Sequence, residues 1–494
     1  MKCRITSQLK LLLTLRLRKT YLRPYNSVAN CHGIHTTTPT PEAPGKPPYS
    51  TPLARYLTEA IEATGPLTLA TYMRQCLVSD LGGYYTAERQ AGTGDQFGRK
   101  GDFITSPEIS QVFGELVGIW VVSEWMRQRR PGEKIQIIEL GPGRGTLMSD
   151  LWRAVLSFKT MANSVEAIYL VEASPSLREA QKILLCGPKI KMREIENGFA
   201  CQSKVSPKTD IIWYEDFSFI PQAKDRTPYI IAHEFFDALP IHAFTNTDNG
   251  WREILVNTSP RKGQFVTKDG VSKLETRFDT PEFALTLANA PTPHSILLPP
   301  LSQRYKDLEK VKNATIEISP ESLGLMEKIS QKIGEAGAGA ALIMDYGTSD
   351  TVPANSLRGI LKHEVCSPFS RPGEVDISVD VDFTALAEQA IKSPKKVEVH
   401  GPVKQGAFLG MLGIKERTEF LIRELKKKKK PNDGWDVKVE DTEDKEKALM
   451  SGYDRLVGEH AGGMGAIYKA LAVVPERRGR RPVGFGGDVS GNKD

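Results

Sequence analysis

"IQIIELGPGRGTLMSDLW" (residues 135–152) decides how the rest of this chain is read. An apolar run ends at Glu139, breaks over Gly141, Gly143 and Gly145, and restarts with helix-forming residues. Strand, glycine turn and helix in that order form the ligand-binding edge of a parallel α/β sheet, because glycines let backbone approach a ligand that side chains would block. Three ligands compete for the turn. A phosphate-cradling Walker A loop needs a lysine after its last glycine, and none is there. The dinucleotide fingerprint needs G-x-G-x-x-G and an acid about 20 residues further on. Here the glycines alternate, and the next strand-end acid, Glu172, lies 27 residues beyond Gly145. The third candidate is S-adenosylmethionine. It carries no pyrophosphate, so no phosphate cradle is needed, and a carboxylate at the next strand end can accept both ribose hydroxyls.

Downstream, "EAIYLVEA", "DIIWYED", "PYIIAHE" and "GAALIMDYG" are short apolar runs, with helical patterns such as "SPSLREAQKILL" among them. Strands apolar throughout and separated by helices predict an α/β fold with a parallel sheet covered on both faces. Upstream, "LARYLTEAIEAT" and "TLATYMRQCLVSD" have helical spacing. "TSPEISQVFGELVGIWVVSEWM" predicts a helix with Ser106 as N-cap and Pro107 at its first position. "GDFITSPEIS" is a candidate lid, in which Gly101 leads to backbone N–H groups able to meet a carboxylate. The expected organisation is an N-terminal helical subdomain with this lid at 49–130 and a core at 131–475. Within the core fall an inserted antiparallel hairpin region at about 244–318 and a solvated charged loop at about 424–447. A disordered tail is expected at 476–494.

Residues 1–48 hold eight lysines and arginines against one acid, Glu42; they carry +7 of a net +6, which leaves the remainder near −1. A general basic surface for nucleic acid is therefore not supported. The segment is basic, acid-poor, interleaved with leucine and then rich in Thr and Pro, the character of a mitochondrial transit peptide and Pro-rich linker. A disordered basic tail is the bland alternative. No apolar run approaches the ~20 residues of a membrane span. The six cysteines are scattered without a C-x-x-C pair, and "HEFFD" (233–237) lacks the second histidine of a zinc helix, so neither a disulfide framework nor a metal site is predicted.

Six stretches occur in order: "GDFITSPEISQVFGELVGIW", "IELGPGRGTLMSDLWR", "IIAHEFFDALPIHAF", "GAALIMDYG", "SVDVDFTALAEQA" and "QGAFLGMLGI". Together they resemble the MidA-like family, mitochondrial protein-arginine methyltransferases that assist assembly of respiratory complex I, over roughly residues 53–475. The resemblance implies a class I, Rossmann-like methyltransferase core and S-adenosyl-L-methionine as methyl donor. It also implies symmetric dimethylation of an arginine in a complex I subunit, and a matrix location. Glu139, Gly141, Gly143, Gly145 and Glu172 are the expected cofactor residues. The third strand end departs from the family, with "WYEDF" (213–217) where it usually reads like W-H-D-S, so the adenine-contacting acid is Glu215 or Asp216.

"HEFFDALP" ends the fourth strand, where the reacting methyl group would sit. A guanidinium is charged and its lone pairs are delocalised, so methylating it calls for carboxylates that aim one nitrogen and offset the cation. Glu234 and Asp237 are the expected catalytic pair, with Phe235 and Phe236 available to stack on the guanidinium. The bland alternative makes Asp237 a turn cap and the phenylalanines core. Asp345 either lines the pocket or caps. The absence of an N-P-P-Y-like stretch weakens a nucleic-acid methyltransferase reading. A competing class is a non-catalytic complex I assembly chaperone, although a pure scaffold has no need of the glycine turn with Glu172. A small-molecule or lipid methyltransferase ranks third. A homodimer is neither required nor excluded by the sequence.

Overall fold

Lys134–Leu140 (β1) is a strand because four of its seven residues are apolar and six are buried, which leaves no solvated face for a helix to present. In the computed structural model of the protein, the structure describes residues 49–86, 105–128, 130, 132–222, 225–259, 281–427, 439–477 and 479–487. Expectations for the transit segment at 1–48 and for Gly101 of the lid lie outside the described residues.

The main sheet is completed by Val165–Val171 (β2), Arg193–Ile195 (β3), Gly198–Gln202 (β4), Asp210–Tyr214 (β5), Arg226–His233 (β6), Ala340–Thr348 (β7), Val397–Lys404 (β8) and Tyr468–Pro475 (β9). Its order is β8-β9-β7-β6-β1-β2-β5-β4-β3, with Val381–Asp382 added at the end of β7. The central run β7-β6-β1-β2-β5 is parallel, and antiparallel pairs close both margins. From β1 the chain runs outward through β2 to one side, and β6 then begins the other. The carboxyl ends of β1 and β6 therefore flank the point where connections diverge, the crevice where open α/β sheets bind ligands.

One face is packed by Gln111–Gln128 and Thr146–Leu156, with Trp120, Trp152 and Trp213 fully buried among them. The other is packed by Pro320–Ala336 and Phe383–Ile391. The first pair approaches closely at two glycines. A Cβ on Gly114 would stand 2.6 Å from the Asp150 Cβ, and one on Gly118 2.9 Å from the Ala154 Cβ.

Several boundaries differ from the sequence expectation. The lid helix is two helices, Ser106–Ile109 with Thr105 rather than Ser106 at the N-cap, then Gln111–Gln128 after extended Ser110. The stretch 49–130 divides between layers. Pro52–Thr64 and Leu69–Val78 pack against a second, antiparallel sheet, whereas Gln111–Gln128 belongs to the core. That second sheet is larger than a hairpin. It joins Leu67–Thr68, Gly250–Thr258, His242–Thr247 and Thr315–Ile318 in that order, with Phe283–Leu287 along the free side of Gly250–Thr258.

The charged stretch is helical where described. Ile414–Lys427 and Val439–Val457 are linked by Lys426 Nζ to Glu446 Oε1 at 2.7 Å, with 428–438 outside the described residues. The tail expectation fails for 476–477 and 479–487. Arg477 pairs with fully buried Glu124 at 2.8 Å, Trp120 Nε1 donates to the Val483 carbonyl at 3.1 Å, and Val483 and Phe485 are buried. An acid buried on an apolar helix is costly without a cation, and a distant arginine supplies it.

The glycine-mediated helix contact is testable. Gly118→Val should cost about 1–3 kcal/mol through overpacking, read as a lower urea midpoint with an unchanged m-value.

Candidate active site

β1 runs straight into its glycine turn, where Gly141, Gly143 and Gly145 take φ of 61°, 53° and 85°, a left-handed conformation that side chains resist. A Cβ on Gly141 would meet Phe235 Cδ2 at 2.6 Å, so the turn after β1 and the turn after β6 touch because position 141 is bare. Between them opens a cleft of about 480 Å³. Glu139, Gly141, Gly143, Glu172, Glu215, Asp216, Glu234 and Asp237 all line it, so the fold gathers eight of the nine sequence-predicted residues there. The ninth, Gly145, caps the following helix and packs on Gln181.

Glu172 is held at the end of β2. Its Oε1 accepts the Ser174 N–H at 2.9 Å and its Oε2 the Gln181 Nε2 at 3.1 Å. Gln181 also donates to the Gly143 carbonyl at 2.6 Å and accepts from Trp213 Nε1 at 2.9 Å, tying carboxylate and glycine turn into one unit. Sequence reasoning missed this residue, whose only signal is a polar position on the buried side of an amphipathic helix. Burial lifts Glu172 to about 7 against the pull of the Ser174 and Gln181 hydrogen bonds. Glu139 rises to about 8 through burial and the neighbouring Glu172, and its Oε2 is buried with no hydrogen-bond partner. An unpartnered acceptor beside a second carboxylate fixed in place fits a ligand with a vicinal diol and a cationic end.

At β5, Asp216 is pinned by accepting the Ser218 N–H at 2.7 Å. Burial would raise its pKa, but the Ser218 hydroxyl and N–H outweigh this and hold it low. Glu215 is mostly exposed and leans on Arg178 at 3.2 Å.

The β6 turn is built by its neighbour. The Glu234 N–H donates to the Met344 carbonyl at 3.0 Å, and the N–H groups of Phe235, Phe236 and Asp237 all point at Asp345 Oδ2, at 3.1, 3.0 and 3.3 Å. Asp345 thus caps the turn, one of the two roles the sequence allowed it, and does not line the cleft. Glu234 takes φ 50°, unusual for a side-chain-bearing residue and sustained by these bonds. Its carboxylate is bonded by the Tyr468 hydroxyl and the Ser106 N–H, and its Oε1 is buried without a partner. The lid-helix N–H at Ser106 therefore meets Glu234, where the sequence suggested a ligand carboxylate. Burial, then Asp237, raises Glu234 to about 8.

Tyr346 donates a short hydrogen bond to Asp237, and the Arg358 guanidinium lies 4.7 Å from the Tyr346 ring centre. Asp237 too is raised, by burial, with Tyr346 and Arg358 opposing. Phe235 lies over the glycine turn and lines the cleft, whereas Phe236 is core. Tyr346, Tyr468 and Arg358 carry no local motif; only the fold brings them here. His242, Glu253 and His294 also converge, with His Nδ1 to carboxylate distances of 2.7 and 3.4 Å, but none of the three lines the cleft.

Glu139 and Glu234 keep their protons to about 8 in the folded chain, against an ordinary 4.5. Folded pKa values raised in this way give stability that is complete below 4.5 and is lost as pH rises through about 8, at about 1.4 kcal/mol per pH unit for each group while it titrates. The ligand-free protein should therefore lose denaturant resistance across that window, and Glu139→Gln should flatten the loss. Parallel curves for the two proteins would contradict the buried, proton-holding state of Glu139.

The family of S-adenosyl-L-methionine-dependent methyltransferases matches residues 116–403. The mitochondrial protein arginine methyltransferase NDUFAF7 of Xenopus tropicalis is 34% identical over 469 residues, covering 94% of this chain and 95% of its own. The human protein of that name is 34% identical over 431 residues, covering 87% and 84%. A crystal structure from Burkholderia thailandensis, bound to S-adenosyl-homocysteine, shares the fold with a TM-score of 0.61 at 19% identity, covering 88% of this chain and 92% of its own. The chain belongs to the MidA-like family of S-adenosyl-L-methionine-dependent methyltransferases, and S-adenosylmethionine is its cofactor.

Proposed function

We propose that this chain is a mitochondrial protein-arginine methyltransferase, acting in the matrix on a respiratory complex I subunit during assembly and leaving symmetric dimethylarginine. The observation that carries the arginine reading is a pair of carboxylates, mostly buried Glu234 and buried Asp237, opening onto the cleft beside the glycine turn. A buried acid pair is costly to ionise unless a cation arrives, and a guanidinium is a planar cation with donors on two edges. The relatives named as mitochondrial arginine methyltransferases support the same reading.

When bound, the cofactor supplies an electrophilic methyl group on a sulfonium. Glu172 grips the ribose hydroxyls, Glu139 faces the amino-acid end, and pinned Asp216, rather than Glu215, meets the adenine amine. Gly141 and Gly143 let the ligand lie against backbone. Glu234 orients the guanidinium and aims one nitrogen at the methyl group. As the N–C bond forms and the S–C bond breaks, the nitrogen's proton passes to the Glu234 carboxylate, whose raised pKa suits it to accept. Asp237, steadied by Tyr346, offsets the remaining charge. Phe235 excludes water above the turn.

Two substitutions separate binding from chemistry. Gly143→Val, at φ 53°, should weaken S-adenosylhomocysteine about tenfold or more by calorimetry, and wild-type affinity would remove the turn from the cofactor site. Glu234→Gln should leave that affinity nearly intact while lowering turnover about 100-fold or more. The carrying experiment is mass spectrometry of complex I subunits from mitochondria with wild-type or Glu234→Gln enzyme. Identical arginine methylation in both would defeat the proposal.

A further inference from the structure

A cluster of metal-ligating side chains stands outside the cleft. His242, Glu253 and His294 come from three elements: the strand His242–Thr247, the strand Gly250–Thr258 and the short helix Pro293–Leu297. The two strands pair antiparallel with Phe244 opposite Glu253, so His242, two residues from Phe244, projects from the same face as Glu253. The helix brings His294 to that face, and one donor atom from each residue lies within 4.8 Å of the other two. No zinc motif spaces these positions in the sequence, because the fold alone assembles them.

The contacts are those of a ligand set. The Glu253 side chain is 1% exposed, and among the described residues its ion-pair partners are the two imidazoles. His242 Nδ1 meets Oε1 at 2.7 Å, a hydrogen bond. His294 Nδ1 stands 3.4 Å from Oε2, beyond the usual N–H···O limit of about 3.2 Å. That separation matches the edge of a zinc tetrahedron, where ligands about 2.0–2.1 Å from the ion lie about 3.3 Å from one another. The imidazole rings approach to 4.0 Å between centres, so both nitrogens converge on one carboxylate from the same side. The carboxylate is braced as metal ligands usually are. The Thr292 hydroxyl donates to Glu253 Oε2 and accepts the Ser295 N–H at 3.1 Å, which also fixes the start of the helix that carries His294. The Ala288 N–H donates to the Glu253 carbonyl at 2.9 Å.

We propose that His242, Glu253 and His294 bind one zinc ion, with water in the fourth position on the side of half-exposed His294. Two imidazole nitrogens with one carboxylate suit zinc, whereas magnesium and calcium take oxygen ligands. With the His242 proton on Nε2, its Nδ1 lone pair is free for the ion. None of the three residues lines the cleft, so the ion is a clip that ties the helix Pro293–Leu297 to the second sheet. The strand that begins at His242 follows Ala238, Leu239 and Pro240, which do line the cleft, so the clip also holds the far end of that wall. The site does not depend on the arginine reading.

The test strips the full chain with EDTA, then titrates it with zinc chloride by calorimetry and with cobalt(II) chloride by visible absorption. Wild type should bind one zinc with a Kd of about 1 μM or tighter and gain thermal stability. Cobalt should give ligand-field bands without thiolate charge transfer, which separates this site from the cysteines. His294→Ala, at a half-exposed position, should weaken zinc about 100-fold or more and remove the thermal shift. Thr292→Val, which removes only the brace on the carboxylate, should weaken it about tenfold. Unchanged S-adenosylhomocysteine affinity in the variants reports an intact fold, and Thr292→Val decides alone if His294→Ala loses that affinity. No saturable zinc binding by wild type, a thiolate band with cobalt, or wild-type zinc affinity in a folded variant would each overturn the assignment.

Discussion

One carboxylate oxygen organises the catalytic end of this protein. Asp345 Oδ2 faces three consecutive backbone N–H groups, those of Phe235, Phe236 and Asp237, while its other oxygen accepts the Tyr346 N–H at 2.9 Å. An anion ringed by amide donors is the strong form of the hydrogen bond, and here it substitutes for the next turn of strand or helix. Because β7 and β6 are parallel neighbours in register, with Met344 opposite His233, the acid one residue on falls where the β6 chain must turn. The turn it enforces puts Glu234 at positive φ, lays Phe235 onto Gly141 and directs Phe236 into the core. Backbone strain, packing of the glycine turn and the placement of Glu234 are thus one consequence of one contact.

That contact has an electrostatic cost. Asp345 is buried, and burial together with Asp237 and Glu234 pushes its pKa well above the usual range. Three carboxylates share a small volume whose named cationic counterweights are Arg358, beside Asp237, and Arg455, beside Glu234. Protonation relieves the repulsion in the ligand-free protein, and an arriving cation relieves it better. Substrate binding and proton release are therefore linked. Under the proposed function, an entering guanidinium would lower the cost of ionising Glu234, and the ionised form is the one that could take the proton displaced by methylation.

The strand ends that line the cleft were legible in sequence and the elements that close around it were not, for a physical reason. Glu139, Gly141, Gly143 and Glu172 sit at adjacent strand ends, and the strand–turn–helix grammar that places them is local: apolar run, left-handed glycines, strand-end acid. Glu234 and Asp237 were visible for the same reason, being three apart at the end of a third apolar run. Tyr85, Tyr346, Arg358 and Asp376 obey no such spacing, because a phenol–carboxylate bond across 291 residues leaves no periodic trace. The tail misled in the opposite way. Its Arg and Gly content looked solvated, yet Arg477 neutralises Glu124, an acid that the apolar helix Gln111–Gln128 could not otherwise bury. The second sheet was underestimated because its five strands come from four separate stretches of chain.

This division of labour also accounts for the added layers. A bare parallel sheet presents its ligand edge to water, which screens charge and competes for every donor that a guanidinium offers. Here Leu77 and Val78 of the helix Leu69–Val78 line the cleft at that edge, and the strand at Asp376 is fastened to the β6 turn by the Val379 N–H on the Asp237 carbonyl. Under the proposed function the cofactor would be held from β1 and β2, while the carboxylate that would aim the reacting nitrogen stands beside them on the β6 turn, and Asp345 fixes where that turn can go.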